Sequence, residues 1–169
     1  MPNAEYVHAM ARYNLWQNDN LVSAATRIGP AARQRDRGAF FGSIEKTFFH
    51  VYWADRTWMS RFTDLAAPAG GLAESTAFEG DWDDFRKARA ASDQLILSWA
   101  ASVDPDWFAG ELSWFSGAAG RNMSRPKPLV VMQLFNHQTH HRGQIHAMLT
   151  AAGEKPGATD IAFMPAEDP

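Results

Sequence analysis

A segment near the carboxyl-terminal end of the chain reads LFNHQTHHRGQIHAML over residues 134–149. Its apolar residues recur at the three- and four-residue spacing of a helix. His137 and His141 are four residues apart, so their imidazoles leave one helical face one turn from each other. Two neutral imidazoles at that separation can bind one divalent ion. The segment therefore predicts a long helix that carries two ligands of a metal site.

The position of this pair on the helix favours a buried site. On a wheel of about 100° per residue, both histidines project within about 20° of the middle of the apolar stripe that runs from Val130 to Met148. His140 falls on one flank and His146 points to the opposite side. Buried imidazoles need partners for their ring nitrogens, which a metal ion would supply. The alternative is that one or both are neutral core histidines that hydrogen-bond to a neighbouring helix.

Four long segments of the chain have helical periodicity, and stretches rich in Gly, Pro, Asp and Ser separate them. The predicted helices are about Ala4–Ile28, Ser43–Leu65, Asp81–Ser102 and Pro128–Ala152. Gly29 and Pro30 are interpreted as the stop of the first helix. Residues between Trp107 and Pro128 predict a small hairpin or an irregular loop, and the tail Glu154–Pro169 is expected to be irregular. The pattern favours an all-α four-helix bundle.

Composition limits the classes of protein to which the chain can belong. Its 169 residues, 46% hydrophobic, are expected to form a single domain over residues 1–169. The net charge of −3 and the lack of a Lys or Arg cluster disfavour binding to nucleic acid. Without cysteine, any metal must have nitrogen and oxygen ligands. Neither a signal peptide nor an uninterrupted apolar run is seen, so we expect a soluble cytoplasmic protein without membrane contact.

A third metal ligand has to come from another part of the chain. His50, in FFHVYWADRTW, lies near the middle of the second predicted helix, where a crossing neighbour could bring it level with the fourth. The small side chains of Thr47 and Ala54 flank it and could leave room for a cavity. From the residues alone, the role of His50 as a ligand stays open, and His8 is expected to be a surface histidine.

No catalytic acid or base is identified from the sequence. Glu45 and Asp55 are close to His50, but in such a helix they are expected to be solvated or paired with Lys46 or Arg56. Arg142 is expected to be a structural ion-pair partner. Four aromatic residues could line a pocket, although aromatic residues at helical spacing are usually part of the core: Trp53, Trp58, Trp114 and Phe115.

Three motifs together resemble the DinB/YfiT-like (DNA-damage-inducible DinB) family of metalloenzymes. They are YNLWQNDNLV at residues 13–22, HVYWADRTW at residues 50–58 and HQTHHRGQ at residues 137–144. The resemblance implies a four-helix bundle with a long crossover between the second and third helices. It also implies a divalent metal ion held by His50, His137 and His141, and a homodimer.

Three histidine ligands with positions left open for water are typical of a catalytic metal site. The family is similar to thiol-dependent transferases and isomerases that use low-molecular-weight bacterial thiols, and to hydrolases. The resemblance thus implies a metal-dependent enzyme that activates a thiol or water to react with a small-molecule substrate. Zn, Ni, Fe and Mn are all compatible with the ligands. The alternative is a non-catalytic, metal- or small-ligand-binding bundle protein of the stress response.

Overall fold

A computed structural model describes residues 1–166. Within this range the fold is mostly helical, as predicted, with five α-helices and one two-stranded antiparallel sheet. The elements are α1 (Ala4–Arg27), α2 (Gly29–Gln34), α3 (Ile44–Phe62), α4 (Trp82–Ser102), β1 (Glu111–Ser116), β2 (Arg121–Pro126) and α5 (Lys127–Ala151). No helix in this part of the chain is both long enough and apolar enough to cross a membrane.

Side-chain caps mark the starts of three long helices. Asn3 precedes α1 and accepts a hydrogen bond from the backbone N–H of Tyr6, and Ser43 caps α3 in the same way. The carboxylate of Asp81 caps α4. These residue types satisfy backbone N–H groups that have no partner inside the helix. The long helices therefore begin and end within three residues of the positions predicted from the sequence.

The short helix α2 was not predicted. α1 ends at Arg27, but Gly29, which has a φ of +77°, turns the chain directly into a second helix that continues to Gln34. Proline is tolerated in the first turn of a helix because its missing N–H would have no helical partner there. Pro30 therefore lies in the first turn of α2, and its interpretation as a stop applies only to α1.

Of the hairpin and the irregular loop predicted between Trp107 and Pro128, the structure contains the hairpin. β1 and β2 pair in antiparallel register from Glu111 opposite Pro126 to Ser116 opposite Arg121. Alternate residues of β1 are half-buried, because successive side chains of a strand point to opposite faces. The hairpin packs against α5.

The tail is irregular up to residue 166, apart from a 3₁₀ turn at Ile161–Phe163. The tail lies against α1. The Tyr13 hydroxyl donates to the carbonyl of Thr159 at 2.6 Å, and the Gln17 amide donates to the carbonyl of Ala158 at 2.9 Å. The remainder of the predicted irregular tail, residues 167–169, lies outside the described residues.

The four long helices pack around two apolar clusters. α1 contacts α4 and α5, and α3 contacts α5 and α4. One cluster consists of Val7, Ala11, Met59, Phe62, Ile96, Ala100, Val130, Val131, Leu134 and Phe135. The other consists of Leu21, Val22, Ala24, Ala25, Ile44, Phe48, Phe85, Ile145, Met148 and Leu149. The first cluster combines the beginnings of α1 and α5 with the ends of α3 and α4, and the second combines the opposite ends. The helices α1 and α5 therefore run in one direction, and α3 and α4 run in the other.

A buried polar layer separates the two clusters. Its members are Asn14, Asn18, Asp55, Arg89, Asp93, Gln138 and Arg142. The Arg89 guanidinium donates to the carboxylates of Asp55 and Asp93, each at 2.7 Å, and Gln138 donates to Asp55 at 2.9 Å. A buried polar group destabilises the fold unless it is hydrogen-bonded. The layer therefore favours one alignment of the four helices along their axes.

Candidate metal centre

Three histidines from two helices meet beside the polar layer. α3 contributes His50, and α5 contributes His137 and His141. Nε2 of His137 lies 3.2 Å from Nε2 of His50 and 3.1 Å from Nε2 of His141. One nitrogen from each ring lies within 4.8 Å of the other two. The residues predicted from the sequence are thus brought together.

These distances fit a shared cation. Two ligands that bind zinc at 2.0–2.1 Å in tetrahedral geometry are about 3.4 Å apart. Without a cation, Nε2 of His137 faces two other ring nitrogens, and one proton on it could bridge to only one of them. At least one of the two close nitrogen pairs would then lack a hydrogen bond. The donor set is thus better satisfied by a cation than by hydrogen bonds alone.

The far nitrogens of two rings have hydrogen-bond partners. Nδ1 of His141 lies 2.8 Å from Oε1 of Gln144, and because an amide oxygen only accepts, Nδ1 carries the proton. Nδ1 of His50 lies 2.9 Å from the hydroxyl of Ser75. Such contacts orient metal-binding histidines and fix their tautomers. Both rings therefore point Nε2 toward the centre of the cluster.

Neither of these two partners was predicted from the sequence. Gln144 lies three residues after His141 on one helical face, and this spacing could have identified it. Ser75 carries no such signal, since it lies outside the helices and is separated from His50 by 25 residues. Nδ1 of His137 differs from the other two, because it is buried and no atom of residues 1–166 is its hydrogen-bond partner.

The environment keeps the three imidazoles neutral. Burial is the main cause that lowers the pKa of His50 to about 4, and the charge of His141 is the second cause. Burial, followed by the charges of His141 and His50, lowers the pKa of His137 to about 3. The pKa of His141 is also lowered by burial, although its hydrogen bond to Gln144 acts in the opposite direction. Neutral imidazole is the form that binds metals, so the cluster is ready for a cation at neutral pH.

An aromatic ring covers one side of the cluster. Phe41 lies in the connection between α2 and α3, and its ring centroid is 4.1 Å from that of His50 and 5.5 Å from that of His141. The neighbouring Phe40 is 83% exposed. Phe41 was not identified from the sequence, because it lies outside the helical pattern.

The other side opens into a cleft of about 670 Å³. His50 and His137 lie in its wall, together with Trp53, Trp58 and Trp114. The prediction that these tryptophans line a pocket is therefore confirmed, whereas it is wrong for Phe115. Since neighbouring residues of a strand face opposite ways, Phe115 of β1 points outward and is 65% exposed.

Comparison with known proteins shows the family of this chain. The sequence profile of the DinB family matches residues 1–168. The chain belongs to the DinB family. Protein DinB of Bacillus subtilis (strain 168) is 26% identical over 167 residues, which cover 95% of this chain and 94% of that protein. No solved structure gives a significant match.

Three charged residues of this DinB family member have partners other than those expected. Asp55 is fully buried and pairs with Arg89, whereas Lys46 or Arg56 was the expected partner for an acidic residue of α3. Glu45 pairs with Arg33 at 2.7 Å. The Arg142 guanidinium donates to the side chains of Asn14 and Thr139. Apart from Thr139, which lies three residues before Arg142 on α5, each partner lies on a different helix, which one helical wheel cannot predict.

The other histidines of this family member stay outside the cluster. His140 is exposed, and its Nε2 lies 3.2 Å from the Gln144 amide. His8 and His146 are half-buried. Within residues 1–166, the one group of at least three potential ligands close enough to share a metal ion is His50, His137 and His141.

Proposed function

We propose that this protein is a metal-dependent enzyme that binds a divalent ion through His50, His137 and His141. The observation that carries the proposal is the convergence of their three Nε2 atoms at the wall of a cleft large enough for a small molecule. Three nitrogen ligands are typical of a catalytic site, whereas structural zinc sites usually have four protein ligands.

The reaction that the enzyme catalyses is a thiol transfer, an isomerisation or a hydrolysis. A divalent ion lowers the pKa of a coordinated thiol or water, so that the anion forms near neutral pH. The protein's own residues orient and enclose this position. Ser75 and Gln144 hold two imidazole rings through Nδ1, and Phe41 excludes water from one side. Zn, Ni, Fe and Mn remain the candidate ions.

We also infer the arrangement of the chain around this site. The four long helices correspond to the four-helix bundle implied by the family resemblance, with residues 63–81 as the long crossover. Because α3 and α4 run in the same direction, this segment has to return along their length. We infer a single domain over residues 1–169 that acts as a cytoplasmic homodimer. Sedimentation of the purified protein tests the dimer.

Metal analysis of untagged protein tests the proposed site. We expect about one divalent ion per chain in the wild type and a large loss of metal in His137→Ala. His146→Ala is the matched control, because it removes a histidine of the same helix that lies outside the cluster. Wild-type protein without stoichiometric metal, or equal metal content in both variants, would contradict the proposal.

A second experiment separates thiol transfer from hydrolysis. Metal-loaded protein is incubated with a panel of small electrophiles, with and without a low-molecular-weight thiol, and the products are identified by mass spectrometry. Thiol transfer gives a thioether adduct only when thiol is present, whereas hydrolysis gives a water-derived product in both cases. If neither product exceeds the level of the His137→Ala variant, the alternative of a non-catalytic metal-binding bundle protein is favoured.

A further inference from the structure

One face of α3 that lines the cleft carries a row of residues with hydrogen-bond donors. Trp53, Thr57 and Arg61 follow one another at intervals of four residues, and all three line the same cleft as His50. Residues at this interval lie on one helical face, about 6 Å apart along the axis. The row therefore begins about one turn beyond His50 and leads away from the histidine cluster.

Two of these donors are buried without a protein partner. In the part of the chain that the structure describes, neither Nε1 of Trp53 nor Oγ1 of Thr57 makes a hydrogen bond. An indole N–H can only donate, and a buried polar atom without a partner is unfavourable. Most buried polar groups in folded proteins have partners, so two unpaired atoms along one cleft indicate a place for ligand acceptors.

Arg61 gives the same row a positive charge. Its guanidinium lies over the rings of Trp58 and Trp114, 4.5 and 5.4 Å from their centroids. It is half-buried, and burial lowers its pKa. Among residues 1–166, no carboxylate forms an ion pair with it. Stacking on aromatic rings holds the planar guanidinium in place while its N–H groups stay available to a ligand.

Among residues 1–166, one acidic side chain lines the cleft, and it already has a hydrogen-bond partner. Glu74 lines the cleft, but its carboxylate accepts a hydrogen bond of 2.8 Å from the backbone N–H of Gly71. Its role is to hold the local turn of the connection between α3 and α4. The donors on α3 therefore face a cleft whose own acceptors do not satisfy them.

We propose that Trp53, Thr57 and Arg61 form a binding subsite for an elongated ligand with an oxyanion at one end and a hydrogen-bond acceptor near its middle. Arg61 binds the oxyanion, which is a carboxylate or a phosphate ester, and Trp53 and Thr57 donate to the central acceptor. Arg61 and His50 are separated by about 16 Å of helix axis, so the ligand lies along α3. We expect the other end of the ligand to react at the histidine cluster, and this expectation rests on the proposed function.

The charge requirement is tested with matched probes and metal-free protein, so that no probe can bind through a metal. Hippurate carries a carboxylate and an amide carbonyl, hippuramide has the same shape without the charge, and phenyl phosphate tests a phosphate ester. Binding is measured by calorimetry to wild type, Arg61→Gln and Arg56→Gln. Arg56→Gln is the matched control, since it removes the same charge from α3 outside the cleft.

We expect wild type and Arg56→Gln to bind hippurate about 10-fold or more tightly than hippuramide, because charge-assisted hydrogen bonds are the stronger ones. Arg61→Gln should lose this preference, and Arg61→Lys should retain part of it. If phenyl phosphate shows the Arg61 dependence and hippurate does not, the oxyanion is a phosphate ester. Equal binding of all three probes, or a preference unchanged in Arg61→Gln, overturns the proposal.

The central acceptor is tested separately with Thr57→Val, which removes the hydroxyl but keeps the shape. This variant should weaken the binding of hippurate several-fold and leave unchanged that of 4-phenylbutyrate, which lacks the amide. Equal effects on both probes would overturn the role of Thr57. Because all probes are measured on metal-free protein, these results stand apart from the metal analysis: the subsite can fail while the metal centre is confirmed, and the reverse.

Discussion

The hydroxyl of Ser75 lies 2.9 Å from Nδ1 of His50. Ser75 is fully buried and follows the 3₁₀ turn Leu72–Glu74 in the connection between α3 and α4. Gly71 and Glu74 stabilise this turn through the hydrogen bond between them. The connection therefore holds the ring of a candidate metal ligand, in addition to joining two helices.

Removal of the Ser75 hydroxyl should weaken metal binding without removing a ligand. We expect Ser75→Ala to lower metal affinity about 10- to 100-fold, the range typical of residues that orient histidine ligands. Competition with a chelator of known affinity measures the change. Ser98→Ala serves as the control, because Ser98 is exposed on α4. Equal affinity of the two variants would show that Ser75 does not support His50.

Phe41 should slow the exchange of metal with solvent. Its ring covers His50 and His141, so Phe41→Ala opens a second side of the cluster to water and chelators. We expect release of the metal to a chelator to become several-fold faster, as followed by stopped-flow absorbance. The neighbouring variant Phe40→Ala removes a ring that is 83% exposed and should leave the rate unchanged. The same rate in both variants would rule out shielding by Phe41.

The metal-free protein should lose stability in mild acid. The pKa of His50 is lowered to about 4 in the folded protein, against about 6.5 in an unfolded chain. Between these values the unfolded chain binds more protons at this position, so the free energy of unfolding decreases as the pH falls. The contribution is at most about 1.4 kcal/mol per pH unit.

A comparison of two proteins isolates this effect. Burial raises the pKa of Asp93 to about 6, which gives stability the opposite dependence on pH in part of the same range. Wild type and His50→Gln share Asp93, so the difference between their slopes reports His50. The free energy of unfolding is measured in urea from pH 4.5 to 7.5 with a chelator present. It should fall less steeply with decreasing pH for His50→Gln than for wild type. Identical slopes would mean that His50 titrates normally in the folded protein.

Arg89 should be the most sensitive position of the polar layer. Arg89→Met leaves the carboxylates of Asp55 and Asp93 buried without their cation, which should lower the free energy of unfolding by about 3–5 kcal/mol. Arg86→Met removes an exposed pair with Asp83 on the same helix and should cost less than about 1 kcal/mol. Urea denaturation measures both. A cost for Arg89→Met as small as that of the control would contradict a structural role for the layer.

The sequence alone determined the long helices and two of the three clustered histidines. Helical periodicity and the stretches rich in Gly, Pro, Asp and Ser between the helices are local signals, so they predicted the helix boundaries closely. The spacing of His137 and His141 likewise fixes their separation within one helix, whatever the rest of the chain does. The third histidine was selected through the family resemblance, since the pattern around His50 left its role open.

Only the tertiary structure decided which distant residues meet. Ser75 and Phe41 lie in connections between helices, where no periodic pattern indicates a partner, and they reach the cluster because the chain folds back on α3. Asp55 pairs with Arg89 because α3 and α4 pack side by side, although Arg56 is nearer in sequence. A helix fixes the spacing of its own side chains, whereas contacts between helices depend on how burial and hydrogen bonding align the whole set.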